Sequence, residues 1–239
     1  VYAGMVSLLD ENIGRLLNAL EQRGDLRNTV IVFIADNGAE AHPMELYPSN
    51  VGWVEANFDN SLASIGTRNS YVSLGPSWAR ATAAPFRDSK SKISEGGIRV
   101  PAFINVPGSS RNGVDNAYMR VMDLAPTFIQ LAGGDVPAGM MGRSLLPRVL
   151  EGRPVYSADE FSAAETYGRR MAQQGDWKVL LQAPPYGNGD WQLYNLAEDL
   201  GEQNDLSDEF PERRASLIAA WQQYADEVGV INPEVPIRY

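Results

Sequence analysis

Asp36 and Asn37 follow directly on six apolar residues, Val30–Ala35, and precede Gly38. A carboxylate and an amide carbonyl are hard oxygen donors, suited to Ca²⁺ and, less well, to Mg²⁺, and poorly matched to soft metals. Adjacent strand residues point to opposite faces, but a chain turning out of its strand can aim both at one ion. Asp-Asn-Gly is also a good turn former, so the local sequence leaves both readings open. A second group lies in "PFRDSKSKISEGGIRVP", residues 85–101, where Arg87, Lys90, Lys92 and Arg99 crowd together in an otherwise acidic chain. Docked beside a metal site, such a loop would receive an anionic ester oxygen; otherwise it is a solvated basic loop. His42 is the only histidine, and a lone loop histidine is more often a surface residue than a ligand or base.

The surrounding elements have to position these residues. Residues 2–23 place Met5, Leu9, Ile13, Leu16, Leu17 and Leu20 on one helical face, with Gly24 as a stop. Val30–Ala35 then read as a strand without alternation, the pattern of a parallel strand buried on both faces. In open α/β sheets, ligands bind beyond the carboxyl ends of the strands, which is where Asp36 and Asn37 stand. Residues 38–85 carry no strong period, and a loop of that length usually covers a site or serves one. Glu95-Gly96-Gly97 predicts a tight turn before a second strand at 98–106, with Pro101 placing that strand near an edge or bulge. Asp123 is the expected N-cap of a helix over Leu124–Leu131, which Gly133-Gly134 ends.

Beyond the Gly/Pro-punctuated segment 135–145 the texture changes. "RRMAQQGDWKVLLQ" predicts two short strands around Gly175-Asp176, and "WQLYNL" a third, most economically antiparallel. A helix from about Pro211 to Gly229 carries Leu217, Ile218, Trp221, Tyr224 and Val228 on one face. Trp177, Trp191 and Trp221 are expected in core or interface packing. The fold class read from this order is α/β followed by a small α+β domain with an antiparallel sheet. The expected boundary puts 1–138 in the first and 139–239 in the second.

Composition narrows the function. The chain has 239 residues with 44% hydrophobic and 21% charged, ordinary for a globular protein. Its net charge of −10 and pI near 4.6 disfavour a nucleic-acid partner. No apolar run approaches the roughly 18–20 residues of a membrane span. Cysteine is absent, which removes disulfides, thiolate metal sites and a Cys nucleophile and identifies no compartment. Lacking an initiator Met and entering a helix at once, the chain is expected to begin part-way through a longer protein.

Taken in order, "VYAGMVSLLDENIGRLLNALEQRGDLRNTVIVFIADNGAE", "DNSLASIGTRNSYVSLGPSWARATAAPFR", "SEGGIRVPAF", "VMDLAPTFIQLAG", "GDWK" and "WQLYNL" resemble the C-terminal portion of a formylglycine-dependent sulfatase of the arylsulfatase type. The resemblance covers nearly the whole chain. It implies an alkaline-phosphatase-like fold and hydrolysis of sulfate esters, aryl sulfates foremost, to an alcohol or phenol and inorganic sulfate. It also implies that Asp36 and Asn37 ligate a divalent cation, usually Ca²⁺. The lysine five residues before the Glu-Gly-Gly turn contacts the substrate sulfate in that family, and Lys90 has that spacing while Lys92 does not.

The family's nucleophile, a formylglycine made from Cys or Ser in Cys/Ser-x-Pro-x-Arg, has no precursor here. There is no Cys, and none of the 15 prolines has Ser two residues before it. No catalytic nucleophile is therefore expected in this chain; it and the remaining acidic ligands and histidines are expected in a missing N-terminal half, the implied partner. Alone, the chain is expected to be inert and prone to self-association. Two other readings stay open: a phosphate or phosphonate monoester hydrolase of the same superfamily, and a non-catalytic ion- or partner-binding remnant.

Overall fold

The structure, a computed structural model, describes residues 1–231. In chain order it comprises α1 (Tyr2–Gln22), β1 (Ile31–Ile34), α2 (Trp53–Asn57), α3 (Gly75–Ala83), α4 (Glu95–Ile98), β2 (Ala102–Asn105), α5 (Leu124–Leu131) and α6 (Leu146–Glu151), followed by β3 (Phe161–Thr166), β4 (Arg169–Gln174), β5 (Trp177–Leu181), β6 (Trp191–Asn195) and α7 (Pro211–Val228). Two compact units interleave along the sequence. One holds Val1–Leu16, Ile34–Pro101 and the chain from Phe161 on; the other holds Leu17–Phe33 and Ala102–Glu160. These units do not coincide with a cut after residue 138.

In the first unit, β3-β4-β5-β6 form an antiparallel sheet in sequence order. Tyr167 and Gly168 both take positive φ (53° and 78°) between Thr166 and Arg169, which pair across the two-residue turn. Such turns match the right-handed twist of the strands they join. Alternation then sorts the side chains. Ala172, Val179 and Leu193 face Leu217, Trp221 and Ala225 of α7. Met171, Leu180 and Tyr194 point to the other face and pack with Ile93 and Leu196. The sheet is thus buried on both sides, by a helix and by the segment just before α4. That second contact is what fixes the basic segment in place.

In the second unit, β1 and β2 pair as a two-stranded sheet, with Phe33 stacked on Phe103 at 5.4 Å. Asp123 is fully buried at the start of α5. Its carboxylate accepts from the backbone N–H groups of Arg120 (2.7 Å) and Arg143 (2.8 Å) and from the Tyr156 hydroxyl.

Several expectations need correction. Ile31–Phe33 are only partly buried and Ile34 is exposed, so the described residues do not bury β1 on both faces. Glu95-Gly96-Gly97 opens a single helical turn, α4, and neither glycine has positive φ. Their role is close approach: a Cβ on Gly96 would lie 2.2 Å from the Arg87 carbonyl oxygen, and one on Gly97 2.2 Å from that of Lys92. Asp123 makes no side-chain cap on α5, since its oxygens are taken by residues from three other segments. Strand β3 and the short helices of 38–85 have no counterpart in the sequence reading. On α7, Val228 is exposed and Ala225 takes its place in the core.

Candidate functional site

The site is built where the chain leaves β1. The Ala35 N–H donates to the Pro101 carbonyl (3.3 Å), and the Gly38 N–H to the Gly97 carbonyl (2.9 Å). A Cβ on Gly38 would sit 1.9 Å from the Gly96 carbonyl oxygen, a separation no side chain tolerates. The Asp-Asn-Gly and Glu-Gly-Gly motifs, nearly sixty residues apart in sequence, are therefore packed backbone against backbone. Glycine is required on both sides of that contact.

The same strip brings in Lys90. Its N–H donates to the Ala39 carbonyl (3.0 Å), and its Nζ lies 3.2 Å from Glu40 Oε2. The hydrogen bond to Glu40 holds the ammonium above its ordinary range, with a smaller contribution from Asp36. Asp36 is exposed. Its carboxyl is held below the usual range, first by the Asn37 side chain, then by its own backbone, with Lys90 adding to the effect. Asp36 is thus an anion across the neutral range and Lys90 a cation, each in the other's field.

Asn37 carries the most informative atom. Its Oδ1 is buried with no hydrogen-bond partner. A buried acceptor left unmade costs roughly 1–3 kcal/mol, and a cation beside it would supply the missing partner. Asp36 and Asn37 are hard oxygen donors and fit Ca²⁺, but two residues cannot fill a shell of about six to eight oxygens. Among the described residues no group of three or more acidic, His or Cys side chains could hold an ion.

The other basic residues do not join Lys90. Arg87 donates to the Tyr194 hydroxyl (3.2 Å) and the Glu202 carbonyl (2.9 Å). Arg99 lies 3.4 Å from Glu95. Lys92 is buried, its Nζ 3.9 Å from the centre of the Tyr186 ring. The segment is therefore not a solvated basic loop. His42 packs edge-on against Tyr47, and its backbone N–H donates to Glu40 Oε1 (2.7 Å).

Sequence reasoning missed what lies underneath. Lys178, fully buried, puts its Nζ 2.7 Å from Glu95 and 2.8 Å from Glu202. Glu202 Oε2 also accepts from the Glu95 N–H (2.9 Å). Burial pulls the Lys178 ammonium down, but Glu202 and Glu95 together more than offset it and leave it raised. A lysine inside the apolar strand "WKVLL" was the available signal, because a buried lysine demands an acidic partner. Asp88 and Ser91 hold left-handed backbone (φ 65° and 71°), Asp88 fixed by Ser94 Oγ at 2.6 Å and by Gln182.

Comparison with known proteins agrees with this organisation. The sulfatase family model matches residues 1–134, and the model described as N-sulphoglucosamine sulphohydrolase, C-terminal, matches residues 88–223. An uncharacterized sulfatase of Schizosaccharomyces pombe is 38% identical over 245 residues, covering 97% of this chain and 44% of that protein. An arylsulfatase of Klebsiella aerogenes is 37% identical over 151 residues, covering 62% of this chain and 32% of its own. The crystal structure of Ps i-CgsB in complex with k-i-k-neocarrahexaose superposes with a TM-score of 0.67 at 24% identity, over 94% of this chain and 42% of that one. The fold is that of the C-terminal part of an alkaline-phosphatase-like α/β protein, with helices and an antiparallel sheet. The chain belongs to the sulfatase family. It spans less than half the length of these relatives.

Proposed function

We propose that this chain is the C-terminal portion of an enzyme that hydrolyses sulfate esters, with aryl sulfates as the first substrates to test. Water adds across the ester, the S–O bond breaks, the alcohol or phenol keeps the bridging oxygen and gains a proton, and inorganic sulfate is released. In this reading Asp36 and Asn37 contribute two ligands to a Ca²⁺ site, and Lys90 holds a sulfate oxygen. Bound there, the ion would stabilise negative charge on the sulfate oxygens. Lys90, kept protonated by Glu40, neutralises and orients the same group. The nucleophile must come from outside these residues. The observation that carries the reading is Asn37 Oδ1, buried and unpartnered beside an ionised Asp36 and a cationic Lys90.

The test uses the complete parent protein. Asp36→Ala is expected to lose its Ca²⁺, measured by metal analysis after gel filtration. Lys90→Ala is expected to keep the ion and to lower kcat/KM for an aryl sulfate by roughly 10²–10³, the scale for one preorganised electrostatic contact. A full complement of Ca²⁺ in Asp36→Ala refutes the ligand assignment. Faster turnover of a phosphate monoester than of its sulfate counterpart would refute the substrate class.

A further inference from the structure

Lys90 offers an incoming anion less net charge than its side chain alone would. Its Nζ lies 3.2 Å from Glu40 Oε2, and the other oxygen of that carboxylate accepts from the His42 backbone N–H at 2.7 Å. The Lys90 N–H in turn donates to the Ala39 carbonyl at 3.0 Å, so the two backbones are joined where these side chains project. Glu40 is therefore held by a backbone donor as well as by the lysine, and an anion that takes up Lys90 leaves it that donor. The carboxylate is 40% exposed and open to whatever Lys90 meets. Asp36 acts on the same ammonium, more weakly than Glu40 does.

This arrangement bears on which anion the site accepts. A sulfate ester carries one negative charge, whereas a phosphate monoester carries nearly two above its second ionisation, at about pH 6. The two groups are tetrahedral and would take the same hydrogen bonds from Lys90. A divalent cation and a lysine by themselves attract the dianion more strongly, because the Coulomb energy grows with charge. A carboxylate fixed beside the lysine acts the other way. It repels each anion in proportion to its charge and so penalises the dianion more. Repulsion of the wrong ligand gives specificity as effectively as attraction of the right one.

We infer that Glu40 is a specificity-determining residue: its carboxylate, fixed beside Lys90, selects the monoanionic sulfate ester over the dianionic phosphate monoester of the same alcohol. The inference rests on the Lys90 reading above, since Glu40 can discriminate in this way only if the anion binds at Lys90.

The test compares three para-nitrophenyl substrates on the complete parent protein at mildly alkaline pH: the sulfate, the phosphate monoester, and the methyl phosphate diester, a phosphorus compound with a single negative charge. The parent is expected to turn over the sulfate faster than the monoester. Glu40→Gln removes the charge but keeps an oxygen acceptor for the His42 N–H and for the Lys90 ammonium, and at this exposed position it is expected to fold as the parent does. It should raise kcat/KM for the monoester relative to the sulfate by roughly tenfold, the scale of one unit charge a few ångströms away at a solvated site. The diester-to-sulfate ratio should stay as in the parent. Glu40→Asp, which keeps the charge, should stay closer to the parent's monoester-to-sulfate ratio than Glu40→Gln does. A merely structural Glu40 would move all three substrates by one factor, and that result, or an unchanged ratio in Glu40→Gln, overturns the inference. A diester that rises with the monoester also overturns it, because the discrimination would then follow phosphorus rather than charge. A parent that prefers the monoester overturns it together with the substrate class. The Lys90 reading fails by a different result: Lys90→Ala with the parental kcat/KM for the sulfate removes the anion from Lys90, and the inference falls with it.

Discussion

The short helix α4 has two flanks, and they are built in opposite ways. On one, Glu95 is sealed under the antiparallel sheet, where Lys178 and Glu202 complete a closed set of buried charges. On the other, Gly96 and Gly97 meet the Asp36–Gly38 turn, which presents an exposed carboxylate and an amide oxygen without a hydrogen-bond partner, near Lys90 and its surface partner Glu40. The first flank pairs its buried carboxylates with Lys178, although Glu202 Oε1 and the neighbouring Arg87 Nε and Nη2 lack a hydrogen-bond partner there. The second leaves Asn37 Oδ1 buried without a hydrogen-bond partner, which the proposed Ca²⁺ would supply. An unpartnered buried polar atom calls for an explanation, and at Asn37 the proposed ion supplies one. The Glu-Gly-Gly motif therefore serves two ends: its glutamate anchors, and its glycines admit the Asp36–Gly38 turn.

The comparison breaks most decisively at Lys178. Lys178→Met leaves two buried carboxylates facing each other, and removing one partner of a buried ion pair costs about 3–5 kcal/mol. That is a large share of the stability of a typical domain. Urea unfolding is expected to show the loss, with Lys178→Met/Glu202→Gln recovering part of it. A midpoint within error of the parent would show that the buried set is dispensable. The pH sign follows from the raised Lys178. Its contribution is fully present below the lysine range of the unfolded chain, and is lost only as pH rises through the higher folded value.

Next in size are the glycines. Gly96→Ala forces a Cβ against the Arg87 carbonyl at 2.2 Å, backbone that cannot swing away. Overpacking of this kind costs about 1–3 kcal/mol or more. Gly14→Ala, in the middle of α1 with nothing near its Cβ, should instead stabilise by about 0.5–1 kcal/mol. Opposite signs in thermal unfolding separate close approach from helix propensity. The same sign for both would remove the argument that α4 and the turn are locked together by their backbones.

How much of this could be read beforehand depended on the range of the interaction. Helices α5 and α7 follow from local period, and the sequence reading places them at 124–131 and from 211, as the structure does. The hairpin β4–β5 announces itself through Gly175-Asp176. Strand β3, "FSAAET", carries too little apolar alternation to stand out and is held by its pairing to β4. Asp36 and Asn37 were picked out by residue type and Lys90 by the sulfatase resemblance, but that they come together depends on Gly38 meeting Gly96. Glu202 was invisible because its partner is a lysine in a strand twenty-four residues earlier. Lys92 and Arg169, nearly eighty residues apart, both lie against the ring of Tyr186. Contacts between distant segments leave no period in the sequence.

The smallest effect on stability is expected at Lys90, and it sharpens the contrast best. Its partner Glu40 and Lys90 itself are 40% and 45% exposed, so solvent screens the pair. Exposed pairs of this kind contribute about 0–1 kcal/mol, and Lys90→Ala should shift the urea midpoint by no more than that. Because Glu40 raises the Lys90 value, whatever the pair contributes is present at neutral pH and fades only as pH climbs through the folded value, above the ordinary lysine range. The difference in urea midpoint between parent and variant, measured at neutral pH and again above the lysine range, should therefore be small at the first and vanish at the second. In the complete enzyme the same substitution is expected to cost two to three orders of magnitude in kcat/KM. A residue that matters little to folding and much to turnover is what the open flank of α4 should contain. If Lys90→Ala instead destabilised the chain as strongly as Lys178→Met, the two flanks would be one structural network, and Lys90 would lose its claim to the substrate.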